Sequence, residues 1–305
     1  MQHFLRGTEF SATDIRKIFD LTKTLKDERK RGFFRKPLEG KSIALIFMKP
    51  STRTRISFQV GVAELGGTPI VLSSGDLQLG RGETIGDTAN VLSRYLHGIM
   101  ARVFAQSDLE QLAEHALVPV INGLSDLLHP CQTFADYFTI DERFGTTDVV
   151  LTYVGDGNNM AHSLLLTAAL LGAKIRIATP KGYEPNSEIV REAQAIADKT
   201  LGEVVITTDV KAAARHADIL YTDVWASMGQ EAEHARRVKA FAGYQIDANL
   251  MKLAHPNCRL MHCLPAHRGE EVAADVVDGN QSIVFDQAEN RLHVQKAIMM
   301  TLFIA

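Results

Sequence analysis

Short apolar runs alternate along the chain with longer segments whose apolar positions recur at helical spacing. Residues 8–30 read as a first helix, capped by Ser11 or Thr13, with Ile15, Ile18, Phe19 and Leu25 on its apolar face. A buried strand follows at 41–47, then a helix at 53–65 with Ile56, Val60 and Ala63 behind a Ser51 cap, closed by Gly66-Gly67. A strand at 69–73 leads into a polar, glycine-bearing loop from Ser73 to Glu83. Thr84 caps a helix with Ile85, Ala89, Leu92 and Leu96 in one stripe. A strand at 98–104, ending near Arg102, precedes a capping box of Ser107 and Glu110. After a strand at 118–121, His129-Pro130 opens a helix carrying Phe134 and Phe138.

The pattern pauses at Phe144-Gly145-Thr146-Thr147-Asp148 and restarts with strand 149–154, a helix carrying Met160, Leu164, Ala168 and Leu171, and strand 174–178. Helix 187–200, strand 203–207, helix 210–216, strand 218–222 and strand 259–264 follow, and a last helix runs from about 287 to 303. Repeated strand–helix units predict an α/β protein of two doubly wound parallel-sheet domains, 1–145 and 146–286. The polar motifs all fall just after strands, where open parallel sheets bind ligands, which predicts one site between the domains.

Composition narrows the class. The 305 residues are 46% hydrophobic and 23% charged with a net charge of -3, an ordinary globular balance that offers no field for nucleic acid. The apolar runs are too short to span a membrane, and the start has no signal-peptide pattern. Cys131, Cys258 and Cys263 are odd in number and lack metal-ligand spacing, so a cytoplasmic location and no metal are expected. Gly155-Asp156-Gly157 lacks the third glycine of a dinucleotide loop, since Met160 stands there. Gly40-Lys41-Ser42 lacks the first glycine of a phosphate loop, where Arg35 stands.

Ser51-Thr52-Arg53-Thr54-Arg55 gathers three hydroxyls and two guanidinium groups at a strand-to-helix turn. Helix-start N–H groups, hydroxyl donors and forked guanidinium groups together suit a phosphate. Any one of these residues alone is better read as a cap or a solvated charge. Cys263 alone reads as a small buried residue, and Asp223 in Asp223-Val224-Trp225-Ala226-Ser227-Met228-Gly229 suits an α-ammonium group. The Trp and Met in that loop suggest a ligand lid.

The Ser51–Arg55 turn, with His129-Pro130-Cys131-Gln132, Asp223 plus Ser227-Met228-Gly229, and His262-Cys263-Leu264-Pro265, resembles the aspartate/ornithine carbamoyltransferase family nearly end to end. The last two motifs point within that family to ornithine as the acceptor. The resemblance implies a last helix, about 287–305, that returns to the first domain, and a homotrimer or a multiple of trimers. Its substrates would be carbamoyl phosphate and L-ornithine, without a cofactor, a nucleic acid or a membrane. It places carbamoyl phosphate on Ser51, Thr52, Arg53, Thr54, Gln78, Arg102, His129, Pro130, Cys131, Gln132, Cys263, Leu264 and Arg291. Arg102, His129, Gln132 and Cys263 would act on the reacting groups, and Asn159, Asp223, Ser227 and Met228 would hold ornithine, Met228 through its backbone. Met48 stands where the family commonly has an acidic residue. Other carbamoyl acceptors (putrescine, aspartate, N-acetylornithine) and a non-catalytic phosphate-ligand-binding protein are the competing readings. With an amine of pKa about 10.4 as nucleophile, the rate is expected to rise from pH 6 towards alkaline pH.

Overall fold

The computed structural model describes residues 3–77, 82–226 and 231–304. The chain forms two compact units, Met1–Phe138 with Glu289–Ala305, and Thr139–Ala288.

In the first unit the order is α1 (Ala12–Lys30), β1 (Ser42–Phe47), α2 (Thr52–Glu64), β2 (Thr68–Ser73), α3 (Ile85–Leu92), β3 (Gly98–Arg102), α4 (Gln106–His115), β4 (Val120–Leu124) and the start of α5 (Pro130–Phe144). Its sheet runs β2-β1-β3-β4, all parallel, with Phe47 beside Arg102. Strand order reverses between β1 and β3, the switch point where such sheets open a crevice. The turn after β1 and Arg102 at the end of β3 both stand there.

Ser11 caps α1 in a full capping box with Asp14, so the helix begins at Ala12 and not at residue 8. Ser51 caps α2, accepting from the Thr54 N–H at 3.3 Å. The buried face of α2 is Thr54, Phe58, Gly61 and Val62, whereas Ile56 is 55% exposed. The expected stripe of Ile56, Val60 and Ala63 is therefore wrong. Packing decides this: the missing Cβ of Gly61 leaves room for Met299, Lys296 and Leu292, which a Cβ would meet at 3.1, 3.3 and 3.6 Å. The capping box at Ser107 and Glu110 is also absent, because the α4 N-cap is Ala105, with no side-chain cap bond. Lys26 and Glu28 are buried: Lys26 donates to Asn290 at 2.8 Å, and Glu28 pairs with Arg35.

The second unit takes the rest of α5, then β5 (Val150–Val154), α6 (Asn159–Leu171), β6 (Lys174–Ala178), α7 (Ser187–Thr200), β7 (Glu203–Thr207), α8 (Val210–Ala214) and β8 (Ile219–Thr222). Short helices α9 (His234–Ala240) and α10 (Ala248–Met251), strand β9 (Arg259–His262) and helix α11 (Ala274–Val277) follow. α12 (Val284–Phe303) begins in this unit and ends in the first. The sheet order is β7-β6-β5-β8-β9, again parallel, with its switch point between β5 and β8. The core beneath β8 and β9 joins Val210, Leu220, Ile246, Leu250, Leu260, Val272 and Val276. The helices α9, α10 and α11 were not anticipated; each is too short to repeat an apolar stripe.

Candidate active site

In the first unit the site is cationic. Thr54 faces inward from the first turn of α2 and its hydroxyl accepts from Arg291 of α12 at 2.8 Å. Arg291 is 4% exposed and so is buried within the first unit. Arg102 is buried at the end of β3, and Thr52 and Arg53 stand exposed on α2. Pro130 occupies the first position of α5, where a missing N–H costs nothing. His129, just before it, is buried, and burial holds its imidazole well below the usual histidine range. The nearby charges of Arg291, Arg102 and Arg53 push it further the same way. The ring is thus a neutral donor or acceptor at neutral pH.

Gln132 is buried one turn on. Its amide N donates to Asp136 at 2.8 Å, and its Oε1 has no hydrogen-bond partner among the described residues. Cys131 points the other way, its Sγ donating to the Asn122 carbonyl at 3.2 Å, and burial pushes the thiol up to about 12. Its side chain is a packing group and not a nucleophile.

In the second unit the polar groups hold one another. Asp223, after β8, accepts from Cys263 Sγ at 2.9 Å and from its own neighbour Val224 N–H at 2.8 Å through Oδ1. Its Oδ2 accepts from Asn158 Nδ2 at 2.9 Å. Asn158 also caps α6, accepting from Met160 and Ala161 N–H groups. Asn159, named from sequence, is the first residue of that helix; Asn158, its neighbour, is the one tied to Asp223. Tyr153 reaches the same group, 3.4 Å from Asn158 Oδ1, and burial raises its phenol well above the usual value. Asn158 was readable as a cap after a strand, but its reach to Asp223 was not.

The His262-Cys263-Leu264-Pro265 turn is held from below. Leu264 adopts φ +60, a left-handed conformation that is costly for a branched side chain. Its N–H donates to His262 Nδ1 at 2.8 Å, which leaves the ring proton on Nε2, 3.1 Å from Glu271 Oε1. Gln287 accepts from the His262 N–H at 2.9 Å and donates to the Tyr221 hydroxyl at 3.0 Å.

Trp225 is 5% exposed and stacked on Phe241, 5.6 Å between centroids, so it belongs to the core and is no lid. Its carbonyl accepts from Arg237 at 2.9 Å, and the same guanidinium pairs with Asp156 at 2.7 Å. Burial outweighs that partner and holds the Asp156 carboxyl above its ordinary range. Gln78, Ser227 and Met228 lie outside the described residues. Among the described residues, two groups of side chains stand close enough to share a cation: Asp223 with His262 and Cys263, and His267 with Glu270 and Glu271.

These features define a class: a two-unit α/β protein with a phosphate-type cradle on one unit and an acid-centred polar cluster on the other. Residues 2–142 match the aspartate/ornithine carbamoyltransferase carbamoyl-P binding domain, and residues 147–302 match the Asp/Orn binding domain of the same family. The chain is 53% identical over 300 residues to an ornithine carbamoyltransferase of Oceanobacillus iheyensis, covering 98% of this chain and 93% of that protein. A solved ornithine carbamoyltransferase from Pyrococcus furiosus superposes with a TM-score of 0.96 at 51% identity, covering 99% and 97% of the two chains. The anabolic enzyme of Campylobacter jejuni gives 0.94 at 40% identity, covering 99% of each. The chain belongs to the aspartate/ornithine carbamoyltransferase family.

Proposed function

We propose that this protein transfers the carbamoyl group of carbamoyl phosphate to the δ-amine of L-ornithine, giving L-citrulline and phosphate. The observation that carries the phosphate half is the convergence of Arg53, Arg102 and Arg291 on a buried, neutral His129 beside Thr54. Three fixed cations with hydroxyl and helix-start donors suit a phosphate dianion. Arg102, His129, Gln132 and Thr54 are the donors for the carbonyl oxygen, which gains negative charge as the amine adds.

The new C–N bond forms as the C–O bond to phosphate breaks, and the amine proton leaves with phosphate or solvent. The anhydride is already activated, so the balance needs no cofactor. Asp223 is the partner for the α-ammonium group, with Asn159, Ser227 and Met228 completing the acceptor set. Cys263, bonded to Asp223 at 2.9 Å, then lies beside the acceptor chain and is not a covalent nucleophile. The likeness to ornithine carbamoyltransferases at about half identity supports ornithine as the acceptor. Assembly as a homotrimer or a multiple of trimers belongs to the same reading and is tested by light scattering.

The direct test is product formation from carbamoyl phosphate with ornithine, putrescine, aspartate and N-acetylornithine run side by side. Citrulline from ornithine alone is the expected result. Product with another amine removes the Asp223 assignment, and tight phosphate-ligand binding without any product removes the enzyme reading.

A further inference from the structure

Away from both half-sites, the tight turn after β9 faces the start of α9. His234 Nε2 lies 3.0 Å from Glu270 Oε2, and His267 Nδ1 lies 3.9 Å from the same oxygen and 4.0 Å from Glu271 Oε2. Ligand atoms held tetrahedrally at about 2.0–2.1 Å from a zinc ion stand roughly 3.3–3.4 Å apart. The ligand atoms of His267, Glu270 and Glu271 all lie within 4.8 Å of one another, and His234 stands outside that group.

The turn is built for the purpose. Gly269 takes φ +92, its N–H donates to the Val272 carbonyl at 2.9 Å, and Glu270 N–H donates to the His267 carbonyl at 3.0 Å. Gln245 donates to the Glu270 carbonyl at 2.7 Å, and Ile246 N–H donates to that of Glu271 at 2.9 Å. Glu271 is fully buried. Its Oε1 accepts from His262 Nε2 and from the His267 N–H, while its buried Oε2 has no hydrogen-bond partner among the described residues. A buried carboxylate oxygen left unbonded is costly, and a cation beside it relieves that cost. The His262 bond also fixes the orientation of the carboxylate, as supporting partners do in metal centres.

We propose that His267, Glu270 and Glu271 form a binding site for one Zn2+ ion on the turn following Cys263, with water as the fourth ligand. One imidazole and two carboxylates are a donor set suited to zinc and to its spectroscopic substitute, Co2+. The site is independent of the reaction assigned above, because none of its ligands belongs to either substrate set.

The experiment is titration of the full chain with Co2+ in a Cys263→Ser background, which removes the thiol of the neighbouring Asp223–His262–Cys263 group. The expected result is one equivalent of Co2+ with tetrahedral visible absorption, displaced by Zn2+, and without a thiolate charge-transfer band. The apparent Kd should rise at least about tenfold in His267→Ala and again in Glu270→Gln, with circular dichroism unchanged. No saturable binding, or binding whose affinity ignores both substitutions, overturns the proposal. Should one variant misfold, the other decides.

Discussion

The two half-sites solve opposite electrostatic problems. In the first unit Arg291, Arg102 and Arg53 gather positive charge near a neutral imidazole. In the second unit Asp223 is bonded to Asn158, Cys263 and Val224 N–H. Asp156 nearby is paired with Arg237. One half-site concentrates charge of one sign, and the other ties a carboxylate into internal bonds. A ligand that replaces those bonds gains only the difference between old and new partners.

The sharpest way to break this contrast is Arg53→Ala. Loss of one phosphate-facing guanidinium should lower kcat/KM by about 10³-fold or more, the scale of an arginine acting on transferring phosphoryl charge, with the fold intact. Activity within a few-fold of the parent by steady-state kinetics removes the anion cradle. Next in size, Asp156→Asn removes the buried countercharge of Arg237 and leaves it only the more exposed Glu233 at 3.2 Å, and urea denaturation should show a loss of up to about 3–5 kcal/mol. A loss below about 1 kcal/mol means that the second unit is not charge-balanced in the way described. Asp223→Asn should raise the KM for ornithine by about 10²-fold while leaving carbamoyl-phosphate binding unchanged, which isothermal calorimetry would separate.

The smallest effect lies in acid. His129 and His293, both in the first unit, have imidazoles held below the usual value, chiefly by burial. The unfolded chain takes up these protons near pH 6.5 and the folded chain does not, so their contribution is complete above that pH and is lost as pH falls. Each therefore lowers stability below it. Urea midpoints at pH 7.5 and 5.5 should show this drop, and a smaller one in His293→Gln. Inorganic phosphate should blunt it further by screening the arginines around His129. An equal drop in His293→Gln would place the acid sensitivity elsewhere.

The same contrast governs what the sequence disclosed. The anion turn is contiguous, Ser51 to Arg55, so its residue types alone announced a phosphate site, and strand ends located the remaining motifs. Arg291 could not be weighed in that way, because its value depends on Thr54, far away in the chain. Asn158 and Asn159 are adjacent, and only the cap geometry of α6 decides which one meets Asp223. Helical spacing placed α2 correctly but chose the wrong stripe, since Gly61 scores as nothing in an apolar count and yet faces α12. His267, Glu270 and Glu271 are close in sequence, but only the turn at Gly269 brings their ligand atoms together.

Gly61 also sets a timetable. Its bare surface receives Leu292, Lys296 and Met299 of α12. Lys296 pairs with Glu64 at 2.7 Å, and Arg291 completes the Thr54 contact. On a ribosome, residues 1–138 emerge long before residues 289–305 do. Throughout that interval the α2 groove stands open and the cradle lacks one of its three cations. A nascent chain stopped short of Glu289 should therefore bind carbamoyl phosphate poorly and engage holding chaperones. Formation of the Thr54–Arg291 contact is thus tied to translation of residues 289–305.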